Sequence, residues 1–201
     1  MRPKESAPGH EAGSTLVEVL VSIVVLSFGL LGMVGLQAAS LQNHREARYQ
    51  ATAVRLATEL AERMRGNRAM AALPEGANPY LQANTLSAPA PAAPDCFSAG
   101  CRTPLEVAQW DVNEWLGRVF DSENGGLPGA RVVICYDDAP YDSVGRPRWG
   151  CAAGSKVIQV KLGWTRASTD RSMSGNDALE RADDDEGHPS VTLPVVTGMP
   201  Q

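Results

Sequence analysis

Very little in this chain can serve a reaction centre. Its three histidines, His10, His44 and His188, are scattered over a polar leader, a helical stretch beyond an apolar run and a polar tail. None stands in a recognisable nucleophile–base arrangement, and G-x-S-x-G, H-E-x-x-H and a glycine-rich phosphate loop are all missing. We therefore expect no enzyme, no catalytic residue, no cofactor and no small-molecule substrate. The four cysteines lack the C-x2-C spacing of structural zinc sites. The acidic run Asp183-Asp184-Asp185-Glu186 lacks the glycine and terminal glutamate of an EF-hand loop, and reads as a solvated segment. No metal site is expected from either. A net charge of -5 argues against partners held by bulk electrostatics, nucleic acid above all.

The sharpest absence is local. Residues 14–36 carry no proline and a single ionisable group, Glu18. As a helix the run spans roughly 34 Å at about 1.5 Å per residue, enough to cross a hydrocarbon core of about 30 Å. A carboxylate inside such a run is costly and rare, and is a functional site by default. Residues 1–13 form a polar leader with Arg2 and Lys4, ending in Gly13. A secretory signal would place its apolar region first and a small-residue cleavage site after it. Here the natural break precedes the apolar run, between Gly13 and Ser14.

Gly13, Thr15, Leu16, Val17, Glu18, Val19 and Leu20 resemble the class III signal of type IV pilins, with Ser14 where that family usually has phenylalanine. The resemblance implies cleavage by prepilin peptidase after Gly13 and N-methylation of the new Ser14 amine. It also implies that Glu18 meets the N-terminal amine of a neighbouring subunit and sets axial register in assembly. Local physics agrees, because positions four apart share a helix face and each buried charge needs a partner. With Arg2 and Lys4 cytoplasmic, the chain beyond Leu36 lies outside the inner membrane, although His44, Arg45 and Arg48 blunt that charge contrast. Orientation rests more on the leader motif.

The helical pattern continues without proline to about Arg68. Ala47, Ala51, Val54, Ala57, Ala61 and Met64 recur at three and four residues and predict one apolar stripe. Arg45, Arg48, Arg55, Glu59, Glu62 and Arg63 fall opposite it, with Arg55–Glu59 and Glu59–Arg63 at i,i+4. Gly29, Gly32 and Gly35 have two readings: close packing through small residues, or a segment that loosens on assembly. Residues 71–95, with five prolines from Pro74 to Pro94, read as a surface loop. Thr103, Pro104 and Glu106 predict a helix start with a capping box, and Leu105, Ala108, Val112, Trp115 and Val119 carry that helix on. Residues 131–136 and 156–165 read as strands; the second alternates Ile158, Val160, Leu162 and Trp164 with Val157, Gln159, Lys161 and Thr165. Residues 167–189 read as a polar loop and residues 191–196 as an edge strand, where Pro194 confines it. The expected fold is α+β: a long N-terminal helix, its inner half transmembrane, packed on a small antiparallel sheet. Its parts are a leader (1–13), a transmembrane half-helix (14–36), an amphipathic half-helix (37–70) and an exported α+β head (71–201).

An even cysteine count in an exported domain predicts two disulfides out of three connectivities. Cys96–Cys101 and Cys135–Cys151 are favoured because each pair closes a local loop beside an element end. Trp110, Trp115, Trp149 and Trp164 read as core or loop anchors. The run from Cys96 through Trp110 and Trp115 to Gly126-Leu127-Pro128-Gly129, Val133-Ile134-Cys135 and Leu162-Gly163-Trp164-Thr165 looks like minor pilins of the type IV pilus modification (PilV-like) group. Together the resemblances imply a minor pilin in pilus assembly, priming and the pilus tip, with other minor and major pilins as partners. A minor pseudopilin of type II secretion would share the leader, Glu18 and the helix. A tip adhesin with ligand loops at 70–100 or 137–155 is the alternative of another class.

Overall fold

The computed structural model describes residues 15–90, 95–152, 154–168, 172–184 and 187–196, with only the backbone of Asn176. It divides into two compact units, Met1–Arg45 and Glu46–Gln201. The expected leader, cleavage point and methylated amine, at residues 1–14, lie outside the described residues, as do Asp185 and Glu186 of the acidic run.

Helix α1 runs Leu16–Gly66 and supplies most of the first unit and one wall of the second. It passes through Gly29, Gly32 and Gly35 without a break. At Asn67 the backbone leaves helical geometry, with φ -118° and ψ 56°, and a separate turn, α2 (Arg68–Ala71), follows. The Asn67 side-chain amide donates to the carbonyl of Pro104 at 2.7 Å, so the break also ties α1 to the start of the next helix. That helix, α3 (Pro104–Phe120), begins with the expected capping box: the Thr103 hydroxyl accepts from the Glu106 N–H, and the Glu106 carboxylate accepts from the Thr103 N–H.

The main sheet has four antiparallel strands in the order β1 (Gln82–Thr85), β2 (Arg131–Tyr136), β3 (Ile158–Gly163) and β6 (Val191–Val195). Between β3 and β6 in sequence, β4 (Arg166–Ala167) and β5 (Leu179–Glu180) form a separate two-stranded ribbon. The inner face is built in rows across the strands. Val132, Leu162 and Val191 form one row, Ile134, Val160 and Leu193 the next, and Tyr136, Ile158 and Val195 the third. These meet Ala53, Leu56, Ala57, Leu60, Ala61 and Met64 of α1 and Ala108, Val112, Trp115, Leu116 and Val119 of α3 in one core. β6 is an edge strand, and its Pro194 faces Gln159 of β3.

Four expectations need correction. The buried stripe of α1 keeps Ala57, Ala61 and Met64 of the expected set and adds Ala53, Leu56 and Leu60, whereas Ala47, Ala51 and Val54 are exposed. The large leucines, which bury far more area than alanine, decide which face turns inward. Glu59 and Arg63 do not face solvent opposite the core; they meet α3 instead. Residues 71–95 are not all loop, because β1 pairs with β2 across an irregular register. The stretch 167–189 likewise contains β5 and a short 3-10 turn at Gly175–Ala178. The two alternating faces expected of β3 are present, and both are covered: all six of its residues are buried. A covering layer on the outer face is the reason, and it lies in the segment between β2 and β3.

Candidate functional site

Glu18 is the third residue of α1, in its first turn. The Thr15 carbonyl accepts the first intrahelical bond from the Val19 N–H at 3.2 Å, and its hydroxyl accepts from the Glu18 N–H at 3.3 Å, satisfying one of the donors that a helix start leaves open. A carboxylate at this position also lies at the positive end of the helix dipole. Further along, the Ser22 and Ser27 hydroxyls donate to the carbonyls of Glu18 and Ile23, each at 2.7 Å. Both hydroxyls are thereby satisfied within the helix, as an apolar solvent requires. Around them the side chains from Leu16 to Leu41 stand exposed, Phe28 at 72%. The helix is long and apolar enough to cross a membrane.

The second unit carries two polar centres that the sequence reading missed. The first joins α1 to α3. Arg63 reaches Glu59 at 2.9 Å, Asp111 at 3.0 Å and Glu114 at 2.7 Å, while Arg118 pairs with Glu59 and, at 2.8 Å, with Glu114. The Tyr80 hydroxyl donates to Asp111 at 3.3 Å, and the Arg63 guanidinium lies 5.8 Å from the centre of the Trp110 ring. The Arg118 hydrogen bond, helped by Arg63, holds the Glu59 carboxyl below its usual range. Burial pushes Asp111 up, against the pull of Arg63. Burial and the neighbouring Asp111 charge raise Tyr80. The sequence signal for this centre was present but ambiguous, since i,i+4 charge pairs mark solvated and helix-facing surfaces equally.

The second centre is under the segment 137–152. Lys161, fully buried on β3, donates to Asp137 at 2.5 Å. Burial pushes Asp137 up, but the bonds from Lys161 and from the Ala139 and Ala152 N–H groups outweigh it and hold the carboxyl low. Burial also pulls the Lys161 ammonium down, with Asp137 opposing. A lysine at an alternating strand position looks solvent-facing in sequence, and nothing local signals otherwise. The structure pairs Cys96 with Cys101 and Cys135 with Cys151, with Cα separations of 4.7 and 6.3 Å. Trp115 and Trp164 are core residues; the Trp164 indole donates to Glu46 at 3.3 Å.

These pKa directions make an acid-side prediction. Asp137 and Glu59 are depressed in the folded state, so their stabilisation is complete above the unfolded carboxylate range, near about 4, and is lost as pH falls through the folded values. Asp111, raised by burial, acts in the opposite sense and reduces the slope. Thermal melts in detergent should show a lower Tm at pH 3 than at pH 6, and little change from pH 6 to pH 8.

A long, exposed apolar helix continuing into an α+β unit with an antiparallel sheet defines a helix-anchored protein of pilin-like architecture. Residues 9–34 match the model of the prokaryotic N-terminal methylation motif, and residues 35–113 match that of type IV pilin Tt1218. No curated protein and no solved structure matches the chain. Over residues 9–113 the chain is thus type IV pilin-like, and the motif implies processing by a prepilin peptidase and assembly as a pilin.

Proposed function

We propose that this chain is a minor pilin that is cleaved between Gly13 and Ser14, anchors in the inner membrane through residues 14–36 and presents a periplasmic head. It then enters the pilus during assembly and priming. The carrying observation is that the methylation-motif match at residues 9–34 runs directly into a helix whose first turn holds Glu18. In this reading Ser14 is the methylated residue and Glu18 the register group, paired with a neighbour's Ser14 amine. The Trp-bearing helix α3 and the cysteine-bordered segments support the PilV-like branch of the family.

Gly13 gives the direct test. Mass spectrometry should find the mature chain beginning at Ser14, and Gly13→Val should leave only the full-length form. Deleting the gene should strip surface pili while leaving exoprotein secretion intact, with Gly13→Val failing to complement. Lost secretion with normal piliation would assign the chain to a secretion pseudopilus instead. A mature N-terminus beyond Leu36 would rule out the anchored reading altogether.

A further inference from the structure

Segment 137–152 covers the outer face of the sheet, and two unrelated attachments hold it there. At its base Cys135 of β2 is bonded to Cys151. Beside it Lys161 rises from β3 and donates to Asp137 Oδ2 at 2.5 Å, to the Gly150 carbonyl at 2.7 Å and to the Arg148 carbonyl at 2.9 Å. An ammonium has three protons to give, and all three have takers. A carboxylate with loop carbonyls is the oxygen donor set a hard cation takes; here the cation is part of the sheet. Asp137 also accepts from the Ala139 N–H at 3.0 Å and the Ala152 N–H at 3.1 Å, so both ends of the segment are fastened to one carboxylate. Trp149 lies over Gly163, where a Cβ would come within 2.8 Å of Cζ2. The Arg131 guanidinium lies 4.6 Å from the centre of that indole ring.

Closure has an opposing term. Trp149 Nε1, Gln159 Oε1 and Thr192 Oγ1 are buried without a hydrogen-bond partner among the described residues. By register Gln159 is paired with Cys135, and Thr192 with Lys161, so both lie on the outer face with the covering segment. Opening the segment would return such groups to water, which favours the open form. The attachments must outweigh that; before Cys135 and Cys151 are joined they are the Lys161 cluster and the packing of Trp149 on Gly163 and Arg131, and the Lys161 cluster is the one that reaches the residue beside Cys151. It holds Gly150, the residue directly before Cys151, against a strand position two residues from the partner of Cys135.

We propose that Lys161 is a positioning residue that closes segment 137–152 ahead of oxidation and so selects Cys151 as the partner of Cys135. With glutathione disulfide as oxidant, the two thiols lose two protons and two electrons and form one S–S bond, while the oxidant leaves as two glutathione thiols. The rate and outcome depend on the two sulfurs being brought within bonding reach, which is what the ammonium cluster supplies. Once formed, the disulfide and the cluster are independent locks, and either alone keeps the segment closed. This inference holds whether or not the chain acts in a pilus.

The full chain in detergent micelles provides the test. Trypsin can cut after Arg148, whose carbonyl Lys161 holds, but not after Arg146, which precedes Pro147. Cys135→Ser/Cys151→Ser should be cut at Arg148 about as slowly as wild type, within roughly threefold, because proteolysis follows the population of the open form. Adding Lys161→Met should speed that cut by roughly a hundredfold, since stripping a buried charge of its partner shifts such populations by orders of magnitude. Those Lys161→Met molecules that do carry Cys135–Cys151 should stay closed, because the disulfide alone suffices once formed. Reduced, unfolded wild type re-oxidised with glutathione disulfide should recover Cys135–Cys151 and Cys96–Cys101, whereas Lys161→Met should give mixed connectivities. Fast cutting of the cysteine-free chain with Lys161 present, or native pairing by Lys161→Met at wild-type yield, would overturn the proposal. If circular dichroism shows Lys161→Met unfolded, Asp137→Asn replaces it. That variant keeps the ammonium on the carbonyls but weakens the pair, and it should be cut at an intermediate rate; an unchanged rate would overturn the proposal equally.

Discussion

Glu18→Ala should leave leader cleavage and membrane insertion intact while its recovery in sheared pili falls by about tenfold or more, equivalent to about 1.4 kcal/mol of lost incorporation. Glu18 sits in the first turn of α1, among side chains that are otherwise apolar and exposed. Near the membrane edge a carboxylate is tolerated, but inside a bundle of apolar helices it needs a partner. A Ser14 amine from a neighbouring subunit would supply one in the correct register, and a misregistered neighbour would not. Alanine removes both the demand and the discrimination, so the variant should still reach the membrane and fail later. The measurement is co-purification with sheared fibres or partner pilins, with the membrane fraction as control. Wild-type co-assembly by Glu18→Ala would remove its register role.

Trp115→Ala should be the most destabilising single change in the second unit. Trp115 is fully buried, and its indole N–H donates to the Leu56 carbonyl of α1 at 2.8 Å. Truncating a buried tryptophan costs about 3–5 kcal/mol. In a domain of this size that converts to a Tm loss of about 6–20 °C. Val54→Ser, on the exposed face of α1, should change stability by no more than about 0.5 kcal/mol. Thermal unfolding of the two variants side by side is the check. A Trp115→Ala melt within about 2 °C of wild type would mean that the α1–α3 contact does not hold the unit together.

The two predictions differ in what makes them readable. Glu18 was identifiable from sequence because it breaks a rule: one carboxylate in a run that otherwise excludes charge, four residues past a leader boundary. The α3 capping box was equally plain, since Thr103, Pro104 and Glu106 satisfy a local geometric requirement. The strands 131–136 and 191–195 also declared themselves through short-range pattern. For β3 the pattern was right and its meaning incomplete, because alternation reports two faces but not what covers each.

Local order therefore determined the apolar helix, its lone glutamate, the cap of α3 and the positions of three strands, because each depends on neighbours within a few residues. The tertiary structure decided the rest. It chose the Leu56–Leu60 face of α1 for the core over the Ala47–Val54 face, since burial rewards area and α3 brings Trp115 to that side. It found β1 inside a proline-rich stretch by offering it the open edge of β2. It also turned Lys161 from an apparent surface residue into the centre of a buried cluster, by folding segment 137–152 back over the strand that carries it. Contacts between residues far apart in sequence set all three, and no window along the chain contains them.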